Sequence, residues 1–198
     1  MIFSCSLAHN IPFFSIFTAM FAGIVGSLIK NGKTARRFHI ACIFVIGLMS
    51  AVLLVHTLSG VERFTFLMGH FPAPWGNELK AGPLEAILSL SFSVVMILTV
   101  IGGEYMIEKD ILPEKQSMYF VMLSLVFGAM IALIYTNDLF TGYVFIEINT
   151  ICSCALIMSK DSGTSILSTI RYLIMSLLGS GMILLAIAFL YTITGHLL

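Results

Sequence analysis

The sequence predicts an all-α membrane protein with six transmembrane helices. Only 10% of its 198 residues are charged, whereas a soluble domain has about 25%. Hydrophobic residues make up 59% of the chain, and the mean hydropathy is +1.03. The apolar residues fall into runs of the length that a helix needs to cross a bilayer. These observations exclude an ordinary water-soluble domain, and we expect residues 1–198 to form a single transmembrane domain.

The first span is predicted at residues 11–29. A secretory signal peptide carries positive charge before its apolar stretch, but in this sequence the charges come after it. The second span, residues 38–58, follows a short basic loop. Lys30, Lys33, Arg36 and Arg37 lie in that loop, and clustered cations in a short loop mark the cytoplasmic side. The amino terminus is therefore expected outside.

Residues 59–83 are polar and rich in glycine and proline, so they predict an external loop between the second and third helices. The segment VERFTFLM within it alternates loosely in polarity and could form a strand or a β-hairpin that lies against the protein. Trp75, with its neighbours Phe66 and Phe71, suits the aromatic belt at the membrane surface. His70 has no second ligand nearby, so we interpret it as a solvated loop histidine rather than a metal ligand.

Four more spans complete the prediction. They are expected at residues 84–107, 118–135, 139–158 and 164–191, which places the carboxyl terminus outside with the amino terminus. Asp138, in the external turn before the fifth helix, suits the N-cap of that helix. Seven of the ten cations lie in the three predicted inner connections, and only Arg63 and Lys80 lie outside, as the positive-inside rule requires.

Glu147 is the residue that most strongly suggests a function. It lies in the middle of the fifth span, roughly 12 Å from Leu139 at helical rise and close to the centre of a hydrocarbon core about 30 Å thick. An ionised side chain at this depth costs about 3 kcal/mol even on insertion scales. Tyr143, Thr150 and Cys154 share its helix face by spacing. The functional interpretation is an ion-translocating carboxylate, and the structural alternative is a neutral glutamate that locks two helices together.

Arg171 is the tenth cation and lies about two turns into the sixth helix, roughly 10 Å from the inner surface. Its side chain could snorkel to the headgroups, or it could be a polar step on a buried ion path. Along the membrane normal, Arg171 and Glu147 differ by about 8 Å, which two extended side chains or a water could bridge. The predicted spans contain no lysine.

Other chemistry finds little support in the sequence. The four cysteines are interpreted as small buried residues, because the C-x-C pair lacks the spacing of a metal or redox site. His39 and His56 lie near opposite ends of the second helix, and the chain has no phosphate loop. We expect no cofactor, no metal and no catalytic residue. Net charge is zero, which gives no argument for a nucleic-acid partner. Gly179-Ser180-Gly181 is interpreted as a site of close helix approach.

Three segments resemble the antiporter-like subunits shared by respiratory complex I, Mrp-type sodium/proton antiporters and membrane-bound hydrogenases. Residues 136–160, with NDLF, YVF and Glu147, resemble the fifth helix of that family. RYLIMSLLGSGMILLAIAFLYTITGHL resembles its next helix, and FPAPWGNELKAGPLEAIL resembles the external approach to its third. The resemblance implies that Glu147 pairs with a lysine on the helix after the sixth, within a half-channel for protons or sodium.

The sequence also departs from the family pattern. Family members are usually more than twice as long and carry two inverted five-helix repeats, so the resemblance covers only their N-terminal portion. Arg171 stands where the family often has lysine, and Gly82-Pro83 replaces a frequent Asp-Gly pair.

The main hypothesis is a short or split antiporter-like subunit of a multisubunit complex in a prokaryotic plasma membrane. Other membrane subunits, one of which supplies a buried lysine helix, and lipid are its expected partners. The alternative is a structural subunit that bridges its neighbours and conducts nothing. The ion, proton or sodium, is left open, and no redox centre is expected in this chain.

Overall fold

A computed structural model describes residues 9–59, 63–67, 77–160 and 162–195. The interpretations given above for Cys5, His70, Phe71 and Trp75 lie outside these residues. Within them the chain forms seven helices and two short strands. The helices are α1 (Ile11–Gly26), α2 (Gly32–Leu58), α3 (Pro83–Gly102), α4 (Glu104–Asp110), α5 (Pro113–Tyr135), α6 (Leu139–Met158) and α7 (Gly163–Thr194). The strands are β1 (Phe64–Leu67) and β2 (Glu78–Ala81).

Five of these helices, α2, α3, α5, α6 and α7, are long and apolar enough to cross a membrane. Helix α1 is also apolar but has 16 residues, which span about 24 Å. The prediction of a helical integral membrane protein is confirmed. The count of six spans and the location of the termini outside stay predictions.

The helices start and stop where local signals dictate, and two predicted loops are corrected. Helix α2 begins at Gly32 because the Asn31 side chain accepts a hydrogen bond from the Lys33 amide at 3.1 Å. Lys33, Arg36 and Arg37 therefore lie on the first turns of a helix, and the prediction of a basic loop over these three residues is wrong.

The second correction concerns the charged connection after the third helix. Helix α3 ends at Gly102, five residues before the predicted end, and α4 follows as a separate short helix. Helix α5 then begins at Pro113 instead of residue 118, because proline is favoured in the first turn, where its missing N–H is not needed.

Helix α5 holds the bundle together, packing on α1, α2 and α6. Its contact with α1 is close because both helices place glycine there. A Cβ added to Gly128 would lie 3.2 Å from the Cβ of Ala19, and one added to Gly23 would lie 2.9 Å from a methyl carbon of Leu125. The main core cluster lies between α1, α2 and α5 and includes Ile43, Ile46, Leu53, Phe127, Ile131 and Tyr135.

The two strands pair antiparallel, with Phe64 opposite Ala81. They are fastened to the turn between α5 and α6. The amide of Asn137 donates to the carbonyl of Glu78 at 3.0 Å, and the Asn137 side chain donates to the Glu78 carboxylate at 3.2 Å. Leu79 is buried at this junction. We call this end of the bundle, which carries β1, β2 and Asn137, the hairpin side.

The opposite end, which carries the start of α2, the helix α4 and Lys160, is called the basic side. Ion pairs join α4 to its neighbours there: Lys33 to Glu108 at 3.8 Å, Arg36 to Glu104, and Lys160 to Asp110 at 2.9 Å. Because most of these side chains are partly exposed, each pair contributes about 1 kcal/mol at most. They position α4 against α2 and the end of α6.

The close approach of α1 and α5 can be tested by replacing Gly128. The variant Gly128→Leu should lower the free energy of unfolding by about 1–3 kcal/mol, because the new side chain meets Ala19 across a packed interface. Gly179→Leu is the matched control, since a Cβ there has open space around it. Thermal unfolding of the purified chain in detergent measures both. Equal stability of the two variants would contradict the described packing.

Candidate functional site

The candidate site lies on α6, whose start is well defined. The carboxylate of Asp138 accepts hydrogen bonds from the amides of Phe140 at 3.3 Å and Thr141 at 2.9 Å, as expected for an N-cap. Asn137, the preceding residue, is held by β2. The sheet and the cap together determine where α6 enters the bundle and, through its regular rise, the depth of every residue on it.

Glu147 lies eight residues after Leu139, so its backbone is about 12 Å into α6. Its side chain is half-buried, and its Oε1 atom is buried without a hydrogen-bond partner among the described residues. Tyr143, one turn earlier, is the polar neighbour whose hydroxyl interacts with the carboxylate. A buried polar atom without a partner is uncommon in folded proteins and costs about 1–3 kcal/mol or more for a charged group.

Thr150 and Cys154, the other residues predicted on the face of Glu147, form no hydrogen bond with its carboxylate among the described residues. The hydroxyl of Thr150 donates to the carbonyl of Ile146 at 2.9 Å, within its own helix turn. Cys154 is buried and free. The face that the sequence predicted as a weakly polar stripe therefore presents Tyr143 and Glu147 at the rim of the buried surface, with Thr150 and Cys154 inside it.

Asn149 is a site residue that the sequence reasoning missed. Its Oδ1 atom is also buried without a partner among the described residues. Residues that are two positions apart in sequence point about 200° apart around an α-helix. Asn149 and Glu147 therefore face different neighbours. The sequence contained a signal for this residue, because Asn149 is a polar side chain within an otherwise apolar helix, as Glu147 is.

The structure does not bring Arg171 to Glu147. The residues of α7 that are buried, Thr169, Ser180 and Ile187, define the face that packs on α6. Arg171 is two positions from Thr169, on the opposite face, and its side chain is exposed. Neither an ion pair nor a hydrogen bond joins Arg171 and Glu147 in the described part of the chain.

A groove of about 490 Å³ opens between α6 and α7 on the hairpin side. Its walls are mainly apolar and include Tyr143, Ile146, Ile183, Ala186, Ile187 and Leu190. Of the polar residues on the face of Glu147, Tyr143 lines the groove, and Glu147 itself does not. Beyond this groove, α7 offers a long exposed apolar surface, since it packs mainly on α6 and has three buried residues among its 32.

The described residues offer no metal or disulfide chemistry elsewhere. No group of three or more histidine, cysteine or acidic residues there could hold a metal ion. Cys42, Cys152 and Cys154 are free, and the last two are buried. The serines of α2 and α3 bond within their helices or to each other, as in the 2.7 Å contact between the hydroxyls of Ser50 and Ser89.

The fold and this site define a class, namely helical integral membrane proteins that carry an acidic side chain midway along an apolar helix. Comparison with known proteins narrows that class. A family model described as NADH:quinone oxidoreductase/Mrp antiporter, transmembrane, matches residues 136–198. That range contains α6, α7 and both predicted site residues.

Curated relatives match nearly the whole chain. The NADH-quinone oxidoreductase subunit N of Desulforudis audaxviator is 28% identical over 195 residues, which is 96% of this chain and 38% of the relative. A Na(+)/H(+) antiporter subunit of Bacillus subtilis is 26% identical over 168 residues, 85% of this chain and 33% of the relative. The chain thus spans between a third and two fifths of the length of these relatives.

Solved structures agree in fold. The Mrp complex of a Dietzia species matches 96% of this chain and 35% of its own with a TM-score of 0.83 at 16% identity. The membrane-bound sulfane sulfur reductase, an archaeal respiratory membrane complex, matches 96% of this chain and 38% of its own with a TM-score of 0.81 at 22% identity. The resemblance predicted from the sequence is confirmed: the chain is similar to the N-terminal portion of antiporter-like membrane subunits.

The cap of α6 is open to a direct test. The variant Asp138→Ala should destabilise the chain by about 1 kcal/mol, because two amides of the first turn lose their acceptor. Asp138→Asn should retain most of the stability, since asparagine caps helices as well as aspartate does. Thermal unfolding in detergent distinguishes the two. A loss of stability in Asp138→Asn as large as in Asp138→Ala would show that the charge, and not the cap, matters.

Proposed function

We propose that this chain is an antiporter-like subunit of a multisubunit membrane complex, and that Glu147 takes part in the movement of protons or sodium ions. The observation that carries the proposal is the Oε1 atom of Glu147, buried at mid-depth in an apolar helix without a partner among the described residues. A carboxylate in this position costs free energy. An ionisable residue that destabilises a membrane helix in this way is, by default, interpreted as a functional residue.

The proposal requires a basic partner from outside the described bundle. None of the described lysines lies within α6 or α7, and Arg171 points away from α6. Glu147 is half-buried rather than enclosed, so a neighbouring helix can reach its carboxylate from the open side of α6. We propose that another membrane subunit supplies a helix with a buried lysine there. A nearby ammonium would stabilise the carboxylate, and its approach or withdrawal would change the proton affinity of Glu147.

The names of two relatives support the proposal that this chain is a subunit of a larger complex. One is a subunit of an NADH-quinone oxidoreductase and another is a subunit of a sodium/proton antiporter. We propose that this chain likewise works within an assembly, in the cell membrane of a prokaryote. A single carboxylate can bind either a proton or sodium, so the ion is determined by groups beyond Glu147.

A non-conducting structural subunit is the second candidate, and one observation favours it. Glu147 and Arg171, the two charged residues deep in α6 and α7, lie on faces that do not meet. In that case the exposed apolar surface of α7 would bridge neighbouring subunits, and Glu147 would bond to a partner as a neutral acid.

Replacement of Glu147 separates the two candidates. In the assembled complex, Glu147→Gln should reduce ion translocation by roughly tenfold or more, because the amide cannot exchange a proton or carry charge. Assembly should be unchanged, since glutamine keeps the size of the side chain. Translocation is measured by a fluorescent pH or sodium indicator inside vesicles that contain the complex.

Glu114→Gln is the matched control, because this acid is exposed in the first turn of α5 on the basic side and lies outside the apolar interior. It should leave translocation within about twofold of the unmodified complex. Unchanged translocation in Glu147→Gln would leave only the structural role. Loss of assembly in Glu147→Gln, with Glu114→Gln intact, would point to a helix-locking role instead.

A further inference from the structure

A second polar site lies in the bundle, well separated from α6. His39 is on α2, seven residues after Gly32, so its backbone is about 10 Å from the basic end of that helix. Only 2% of the residue is exposed. Its Nδ1 atom is 2.6 Å from the hydroxyl oxygen of Ser124 on α5.

The contacts around Ser124 constrain the tautomer of His39. A serine hydroxyl has one proton, and its oxygen lies 3.0 Å from the carbonyl of Phe120 as well as 2.6 Å from Nδ1 of His39. Both contacts are hydrogen bonds at the same time only when the serine donates to the carbonyl and accepts from the ring, and this arrangement assigns the proton to Nδ1. The other ring nitrogen, Nε2, is then a bare lone pair. It is buried and has no hydrogen-bond partner among the described residues.

The space around the ring contains no group that satisfies this lone pair within the described part of the chain. Helix α1 presents Ala22 and Gly26, and α2 itself presents Ala35 and Phe38. From α5, the hydroxyl of Ser117 is already donated to the carbonyl of Ile29. Burial opposes the charged imidazolium, so His39 is neutral in this arrangement.

A small pocket on the basic side lies next to the histidine. It has a volume of about 10 Å³, close to the space of one water molecule. Arg36, Glu104, Glu108 and Gln116 line it, and the ring of Phe120 forms the wall on the histidine side. Phe120 is buried, and its ring centre lies 6.1 Å from that of His39.

We propose that His39 is a gated proton acceptor that opens to the basic side of the membrane. When Phe120 closes the site, Nε2 is bare and the ring is neutral. When the Phe120 ring moves, water from the pocket reaches Nε2, and a hydronium ion gives up one proton to form the second N–H bond of the ring. The hydronium becomes water, and the positive charge moves to the imidazolium.

The charged groups facing the site make this transfer reversible. Arg36, three residues before His39 on the same helix, opposes a second positive charge, while Glu104 from α4 is paired with Arg36 and offsets it. Lys33 and Glu108 form the next pair outward. The residues of α5 that line the site with His39 carry no charge; they are Ser117, Phe120, Val121 and Ser124. While the site is open, the proton can therefore return to a water molecule of the pocket, which becomes hydronium again.

The test is nitrogen magnetic resonance of the full chain, labelled with ¹⁵N-histidine and embedded in lipid bilayers. The chain has five histidines, so His39→Gln identifies the signal of His39. At neutral pH that signal should be the neutral form with the proton on Nδ1. Relaxation dispersion should detect a minor protonated form whose population rises about tenfold for each unit that the pH falls, because one proton binds.

Two phenylalanine variants examine the gate. Phe120→Leu should raise the minor population at a given pH at least about tenfold, because the smaller side chain admits water more often. Phe127→Leu is the control, since this residue is equally buried on the same helix but does not line the site. The proposal is overturned by a proton on Nε2 at rest, by a minor form that is absent or independent of pH, or by equal effects of the two variants. If Phe120→Leu fails to fold, Phe120→Tyr replaces it. This variant keeps the aromatic ring, so its minor protonated population should stay close to that of the unmodified chain.

Discussion

The structure depends on one constraint, which is that a polar atom inside a bilayer has no water to bond to. Most of the chain obeys it through bonds within helices, as the serines and threonines of the bundle do with carbonyls one turn back. The exceptions are therefore informative. Among them, Glu147, Asn149 and His39 each keep a buried atom without a partner among the described residues, and two of these three residues can bind a proton.

The scaffold around these groups is built so that their depth is well defined. Helix α5 packs on three neighbours, and its glycine contact with α1 allows the two backbones to approach closely. The junction of β2 with Asn137 fastens the hairpin side, and α4 fastens the basic side through ion pairs. Glu147 and His39 are thus carried by helices whose ends are held independently, which keeps the two sites separate.

Much of the fold could be predicted from the sequence because apolar runs and caps are local signals. Helix α6 begins after Asp138 as expected, since that residue caps it directly. The starts of α2 and α5 were predicted several residues late, because charged residues were assigned to loops although Asn31 and Pro113 are good helix starts. Charged residues indicate which side of the membrane a segment faces, but a charged residue does not by itself end a helix.

The site was less predictable, because it depends on which faces meet. The spacing on α6 was sufficient to single out Glu147, but the orientation of Arg171 depends on how α7 packs, and no pattern within α7 reveals that. The assignment of an unprotonated Nε2 to His39 depends on Ser124, which is 85 positions away, and on the hydrogen bond from this serine to the carbonyl of Phe120. Pairing of this kind is a property of the tertiary structure.

The unequal lengths of α6 and α7 have a further consequence. With 20 and 32 residues, the two antiparallel neighbours differ by about 18 Å, and α7 at about 48 Å exceeds the thickness of a hydrocarbon core by more than half. To stay in the bilayer, α7 has to lean away from the normal, or its last turns have to rise among the lipid headgroups. A lean would carry the end of α7 away from the start of α6, on the hairpin side, where the groove between the two helices lies. Because such a lean depends on bilayer thickness, we expect lipid chain length to change the width of that groove.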